Sequence, residues 1–338
     1  MKIFITGASG FIGTHLTLAL LKRGHSITVL SRNRDNSSKK FGGKVRVVEG
    51  DVNNISQSTK KIINSHTTLI HLAAFRSNWG SAEYFYKTNS DSLNNLISKQ
   101  SKIKHIIATS SVYVHGASKK LPIDESSALL AKDMYGKTKI ALEKNVSRIS
   151  NNKHIKYTII RPAIVYGPGD GASGMVTKLV GMLAKNQFFY IGNGENTLHL
   201  VHIDDLVQGY IRAVNHKPNN QVYILAGKNA IKLSSLVKMV QKELKQSYKI
   251  KQLPRMPIYA ASFAVEAVFT ILDKMLPGGF PIEPPLLPIK VEVISNSWRY
   301  SILKAKKDLG YKPSVSYNRG IKSAVKWYLK SNADPDML

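Results

Sequence analysis

Cysteine is absent from the 338 residues, which removes disulfides, thiolate metal sites and thiol nucleophiles together. Acidic side chains are scarce: 21 Asp and Glu stand against 49 Lys and Arg, for a formal charge of +28. Such a balance draws a protein toward anions. The basic residues are spread over the whole chain, however, with no polybasic tail and no nucleic-acid motif or aromatic platform. They read as a solvated surface, and no specific nucleic-acid partner is expected. No charged stretch followed by an apolar run and a cleavage site precedes MKIFITGASG, so a cytoplasmic location is expected. Long apolar runs are missing apart from residues 257–276, PIYAASFAVEAVFTILDKML, which Glu266 and Asp273 interrupt. That run is marginal for a membrane span. It reads as a helix of the second half, buried or facing lipid, with peripheral membrane contact as its expected limit.

What is present is an ordinary globular core, 43% hydrophobic, and a first half that alternates short apolar runs with helical patterns. Strands are expected at 2–6, 26–30, 45–48, 69–72, 105–109 and 157–160, the last stopped by Pro162. Helices are expected at 11–23, 83–99 and 135–148. Alternation of this kind implies right-handed crossovers and an α/β fold with a doubly wound parallel sheet, a Rossmann fold. The later half is less regular. Helices are expected at 175–185, 204–214, 233–244 and around 324–329, with a strand at 222–225, a turn at Gly310, and a Pro- and Gly-rich loop at 276–288. The dinucleotide domain is placed at 1–165, with a segment near 200–226 returning to it, and a smaller C-terminal substrate domain occupies most of 166–338.

Gly7, Gly10 and Gly13, in GASGFIG, follow a strand and open a helix. That context gives a glycine pattern its meaning: a tight turn, room for a pyrophosphate, and close helix–strand packing with the helix N-terminus facing the phosphates. After the second strand stands Ser31-Arg32-Asn33-Arg34, where an NAD site usually carries a carboxylate for the ribose hydroxyls. A neutral and then basic stretch suits a 2′-phosphate, so NADP is the expected cofactor, with NAD as the alternative. Asp51, in GDV, is placed to accept from an adenine amino group.

Tyr135 and Lys139 lie four apart on one face of an expected helix. A free tyrosine titrates near pH ~10. A neighbouring ammonium lowers that value, so the phenol can exchange a proton with an alcohol or a carbonyl at neutral pH. Ser111, at the end of a strand 24 residues earlier, is placed to hold the same oxygen. His199, His202, Asp204 and Asp205 invite comparison with a metal cluster, but three-residue spacing on a strand puts the two imidazoles on opposite faces. No metal is expected.

The segments TGASGFIG, GDV, HLAA, TSSVYVHG, YGKTKIALE, RPAIVYGPGD, VHIDDL and KAKKDLGYKP cover nearly the whole chain. Together they resemble the extended short-chain dehydrogenase/reductase family, including its NAD-dependent epimerase/dehydratase and 3β-hydroxysteroid dehydrogenase or dihydroflavonol reductase groups. The resemblance implies a dinucleotide lying across Gly7, Ser9, Gly10, Phe11, Ile12 and Gly13, past Arg32, Asp51, Val52, Leu72, Ala73 and Ala74. It makes Ser111, Tyr135 and Lys139 the catalytic set, with Lys139 also gripping the nicotinamide ribose. Asn89 matches a residue that supports the site, and the stretch from Pro162 to Val165 matches the backbone that meets the nicotinamide amide. It also implies a homodimer through 83–99 and 135–148, and a structural role for VHIDDL.

The expected activity is that of an oxidoreductase acting on a small molecule with a secondary alcohol or ketone, apolar in character: sterol-, flavonol- or lipid-like. The alternative is a nucleotide-sugar epimerase or dehydratase, and a more distant one is a non-catalytic dinucleotide sensor. Sugar-nucleotide relatives usually carry an Arg before the VHIDDL-like corner, where a guanidinium clamps a diphosphate. Leu198 stands at that position here.

Overall fold

A computed structural model describes residues 1–118, 120–171, 174–275 and 282–333. The first half is built from β1 (Lys2–Thr6), α1 (Phe11–Leu21), β2 (Ser26–Ser31), α2 (Arg34–Lys40), β3 (Arg46–Glu49), α3 (Gln57–Asn64) and β4 (Thr68–His71). There follow α4 (Ala82–Tyr86), α5 (Ser92–Leu96), β5 (His105–Thr109), α6 (Met134–Lys153) and β6 (Lys156–Pro162). The second half contains β7 (Ile164–Tyr166), α7 (Met175–Ala184), β8 (Phe189–Ile191), β9 (Thr197–Leu198), β10 (Leu200–His202), α8 (Ile203–Asn215) and β11 (Gln221–Leu225). It ends with β12 (Ile231–Lys232), α9 (Leu233–Glu243), β13 (Lys251–Leu253), α10 (Arg255–Met275), α11 (Pro288–Ser295), α12 (Leu303–Leu309) and α13 (Tyr317–Ala333).

Seven strands form one sheet in the order β11-β6-β5-β4-β1-β2-β3, every neighbour parallel. Successive side chains of a strand face opposite ways, and both faces are covered. Ile3 and Ile5 pack into one core with α1 and α8. Phe4 points into the other, with Ile63 of α3 and Leu142 and Val146 of α6. Burial on both sides explains why these strands are apolar almost throughout. The chain runs from β1 outward through β2 and β3, then returns to β4 on the other side. The reversal opens a crevice beyond the C-terminal ends of β1 and β4, the place where doubly wound sheets bind ligands.

Three expected elements differ. Residues 83–99 form no single helix: α4 and α5 are separated by a π-helical turn, Lys87–Asp91, and α5 ends at Leu96. The extra residue of that turn carries Asn89 fully inward, a use of π turns common at functional sites. The expected loop at 276–288 falls partly on 276–281, outside the described residues, and Pro288 begins α11, where a proline suits the first helical position. The last helix is also longer than expected, because its inner face packs on α7 and α9.

Three consecutive residues at the end of β5 and its exit each hold a different turn of α6. The Thr109 carbonyl accepts from Lys139 Nζ at 2.9 Å. Ser110 donates to Glu143 Oε1. Ser111 stands by Tyr135 as the hydroxyl that lowers its pKa. Residues 135, 139 and 143 follow one helical face at four-residue steps. Glu143 is itself fixed by Arg161 of β6, which donates through Nε at 2.8 Å and Nη2 at 2.6 Å. Arg161 Nη1 also reaches His115 Nε2 at 3.1 Å and the Glu125 carbonyl at 3.2 Å. The carboxylate and guanidinium are 9% and 4% exposed. Replacing one partner leaves the other charge buried and uncompensated. Glu143→Gln should therefore destabilise the fold by about 3–5 kcal/mol in urea unfolding; a loss below about 1 kcal/mol would show that the pair does not hold these elements together.

Candidate active site

The glycine turn lies at the crevice. Gly7 has φ +71°, and a Cβ there would stand 2.6 Å from the Ala73 nitrogen, so β1 and the stretch after β4 approach backbone to backbone. A Cβ on Gly13 would collide with the Gly7 carbonyl oxygen. Gly10 is different: its Cβ would meet only the Gly7 oxygen, at 3.4 Å. Gly10 is exposed and caps α1 without a side-chain hydrogen bond. The first N–H groups of α1, at Phe11, Ile12 and Gly13, thus face a cradle with space for a phosphate. These residues fit a dinucleotide.

At the far end of the crevice Ser31 is buried and spends its hydroxyl on the Asn33 carbonyl at 2.8 Å and on Ser37 at 2.7 Å. Arg32 is exposed. Lys40, which sequence reasoning missed, reaches back over the glycine turn to the Ser9 carbonyl at 3.0 Å. Asp51 Oδ1 accepts from the Asn53 N–H at 2.8 Å, so one carboxylate oxygen orders the turn after β3, beside the buried Val52. Leu72 and Ala73 are half-buried and Ala74 is exposed beyond β4. Pro162 ends β6 and Val165 lies in β7, with the Ala163 N–H between them donating to Leu225 at 2.9 Å.

Tyr135 sits one residue into α6, which Asp133 caps through the Gly136 N–H at 2.8 Å. The Lys139 ammonium lies 5.7 Å from the Tyr135 ring centroid. Burial pulls Lys139 down to about 8. Burial raises Tyr135, while the Arg76 charge and the Ser111 hydrogen bond lower it. The cation acting most strongly on Tyr135 is therefore Arg76, which the sequence pattern did not reveal. Its loop is positioned by Asn89, whose side chain accepts from the Phe75 N–H at 2.6 Å and donates to the Phe75 carbonyl at 3.0 Å and to Thr138 at 3.1 Å. Both amide atoms of Asn89 are thus engaged within the protein, and it acts by holding the 73–80 loop against α6.

The VHIDDL residues serve as a corner. His199 bridges the Gly227 carbonyl at 2.9 Å and the Tyr300 N–H at 3.0 Å. Asp205 accepts from the N–H groups of Ser314 and Val315 at 2.8 and 3.1 Å. His202 accepts from the Asp204 N–H at 3.3 Å and meets Ser323 at 3.3 Å. Among the described residues no group of three or more His, Cys, Asp or Glu converges on one point.

Asp170, also missed by sequence reasoning, is 4% exposed, and among the described residues neither carboxylate oxygen has a hydrogen-bond partner. Burial lifts it from 3.8 to about 7, and the Arg76 charge works against that. Between those values the folded chain keeps a proton that the unfolded chain has lost, so stability falls as pH rises through the window. Asp170→Asn should flatten that part of a pH series of melting temperatures; an unchanged slope would place the titration elsewhere.

A family profile described as the NAD dependent epimerase/dehydratase family matches residues 3–226, more than half of the chain. The chain is 24% identical to a sterol-4-alpha-carboxylate 3-dehydrogenase, decarboxylating, of Mus musculus, across 96% of this chain and 90% of that protein. It is also 24% identical to a UDP-N-acetyl-alpha-D-glucosaminuronate decarboxylase of Bacillus cytotoxicus, across 98% and 99%. Its fold matches UDP-glucuronic acid 4-epimerase from Bacillus cereus, solved in complex with NAD, with a TM-score of 0.77 at 22% identity over 98% of this chain and 99% of that one. The profile match, on a seven-stranded parallel sheet whose switch point carries the glycine cradle and the Ser111, Tyr135 and Lys139 set, shows that the chain belongs to the NAD-dependent epimerase/dehydratase family of extended short-chain dehydrogenases/reductases.

Proposed function

We propose that this NAD-dependent oxidoreductase or epimerase performs net redox chemistry on a secondary alcohol or ketone of apolar, sterol- or lipid-like character, and prefers NADP. What supports the apolar part is the aromatic ring beside Tyr135 together with the aromatic residues of the loop that presents Arg76. The Tyr113 ring meets Tyr135 edge-on at 6.0 Å. The loop that presents Arg76 also carries Phe75, which packs against Tyr84 and Phe85 at 5.0 and 4.8 Å. The same loop carries Trp79, in contact with Phe269. Leu198 is fully buried on β9, paired with β12, and offers no cation to a diphosphate. The sterol-acting relative fits this reading; the sugar-nucleotide relatives support the alternative.

The dinucleotide, when bound, supplies or accepts the hydride. The chain's part is proton transfer and orientation. In this reading Ser111 donates a hydrogen bond to the substrate oxygen and Tyr135, beside it, exchanges the proton. Lys139 is placed by Thr109 to hold the nicotinamide ribose and to contribute its charge beneath the ring. The Arg76 charge favours the phenolate.

Tyr135→Phe should lower turnover by roughly 10²–10⁴-fold, the range for a lost general acid or base, with cofactor affinity nearly unchanged. Lys139→Met should damage both. Retention of most activity in Tyr135→Phe would remove the phenol from the reaction. The substrate class is tested by calorimetry on the cofactor-loaded protein with long-chain ketones, sterol ketones and UDP-sugars. Binding of the ketones is expected, and micromolar binding of a UDP-sugar would overturn the apolar reading.

Cofactor choice rests on Arg32 and Lys40 flanking a Ser31 that carries no charge. Arg32→Ala should weaken NADP by about 1–2 kcal/mol, the worth of a charge-assisted hydrogen bond, and leave NAD nearly untouched. Equal affinities in the unmodified protein would contradict the preference.

A further inference from the structure

Helix α10 is turned the opposite way from an ordinary surface helix. Of its 21 residues only Ser262 is buried. Met256, Phe263, Val268, Ile271 and Met275 are between 50% and 74% exposed. At 3.6 residues per turn these five fall on one stripe, with Ala260, Ala264 and Ala267 between them. The carboxylates lie on the other side: Ser262, Glu266, Phe269 and Asp273 follow one another at three- and four-residue steps. Phe269 packs edge-on against Trp79 with ring centroids 6.3 Å apart, which identifies that side as the inner one. The outward face has no acidic residue, while Lys274 at its end and Lys249 and Lys251 just before the helix are exposed.

We propose that α10 docks the protein on an anionic lipid bilayer, lying in the plane of the interface. Each large apolar side chain taken out of water favours binding, and each nearby Lys or Arg adds attraction to anionic lipid. The helix is apolar and long enough to cross a membrane by length and composition, but its attachments argue for one face only. β13, before it, pairs with β8 of the main body. Arg255 at its start donates to Asn296, just beyond α11, at 2.8 Å. Both flanks therefore stay on one side, as in an interfacial helix. A second copy of this chain is a poorer occupant, because two surfaces of a +28 protein repel and would bring the same lysines together. Through Phe269 and Trp79 the docked helix touches the loop that carries Arg76. The inference itself stands on the helix and not on the substrate reading.

The absence of cysteine makes a direct test available. Val268→Cys, labelled with a polarity-sensitive fluorophore, is mixed with vesicles of phosphatidylcholine alone or with one quarter phosphatidylglycerol. Lys22→Cys, at the exposed C-terminal end of α1, is the control. A blue shift at position 268 with anionic vesicles, and none at 22, is expected. In flotation the unmodified chain should rise with the anionic vesicles, and Phe263→Glu with Ile271→Glu should cut the bound fraction at least about tenfold. Light scattering without lipid should give the same mass for both proteins. A shift at both positions or at neither overturns the proposal, as does flotation that survives the double substitution. A double variant that loses mass while the unmodified chain stays off the vesicles would make this face a contact between copies.

Discussion

A carboxylate and a guanidinium taken out of water together tolerate almost no freedom: either one alone would be a buried, uncompensated charge. Glu143 and Arg161 are in that position, and the contacts between α6 and the strands β5 and β6 are built around them. Arg161 ties β6 to α6. Glu143 extends the tie to Ser110 on the exit of β5. Four residues back along the same helix face Lys139 meets Thr109, and four further back Tyr135 meets Ser111. One ion pair thus fixes α6 against β6 and the end of β5, and with it the helix face that carries Tyr135 and Lys139. His115, with burial and the Arg161 charge both lowering its pKa, accepts from the guanidinium as a neutral ring and closes the network.

The electrostatics differ from the simple Tyr–Lys account. Burial raises Tyr135 and lowers Lys139, so each is held in its less polar form when considered alone. The pull toward phenolate comes from the Arg76 charge and from the Ser111 hydroxyl. Arg76 also acts on Tyr113 and Asp170. A loop after β4, positioned by one asparagine on a π turn, thereby influences three buried acids around the crevice.

The parts of this site that follow from local rules were legible in the sequence. Lys2–Thr6 and His105–Thr109 are short apolar runs bounded by turn residues, and the glycine turn sits where strand becomes helix. Gly7 and Gly13 could be read because backbone contact leaves no room for a side chain. Glu143 could have been read as well: it continues the Tyr135–Lys139 face by one more helical step. Arg161 gave a weaker signal, a lone charge inside an apolar strand. Arg76, Asp170 and Lys40 gave none, because each acts across contacts between segments distant in sequence. The break in the 83–99 helix was hidden because a π turn keeps the apolar pattern nearly intact while rotating Asn89 inward. The orientation of α10 was hidden for a related reason. Composition tells that a helix is apolar, and only its packing tells which face is left outside.

A Tyr135 phenol met edge-on by Tyr113, a glycine cradle with basic flanks and an outward-facing apolar helix are consistent with the proposed hydride transfer to or from the carbonyl of an apolar substrate. Isotope transfer tests this most directly. The protein is incubated with reduced NADP bearing deuterium at the transferable C4 position, together with a panel of long-chain and sterol ketones and, separately, UDP-sugars. The account predicts an apolar alcohol product heavier by one deuterium, with the cofactor consumed in equal amount. Interconversion of a UDP-sugar with no net consumption of cofactor, and no label in any apolar alcohol, would contradict it.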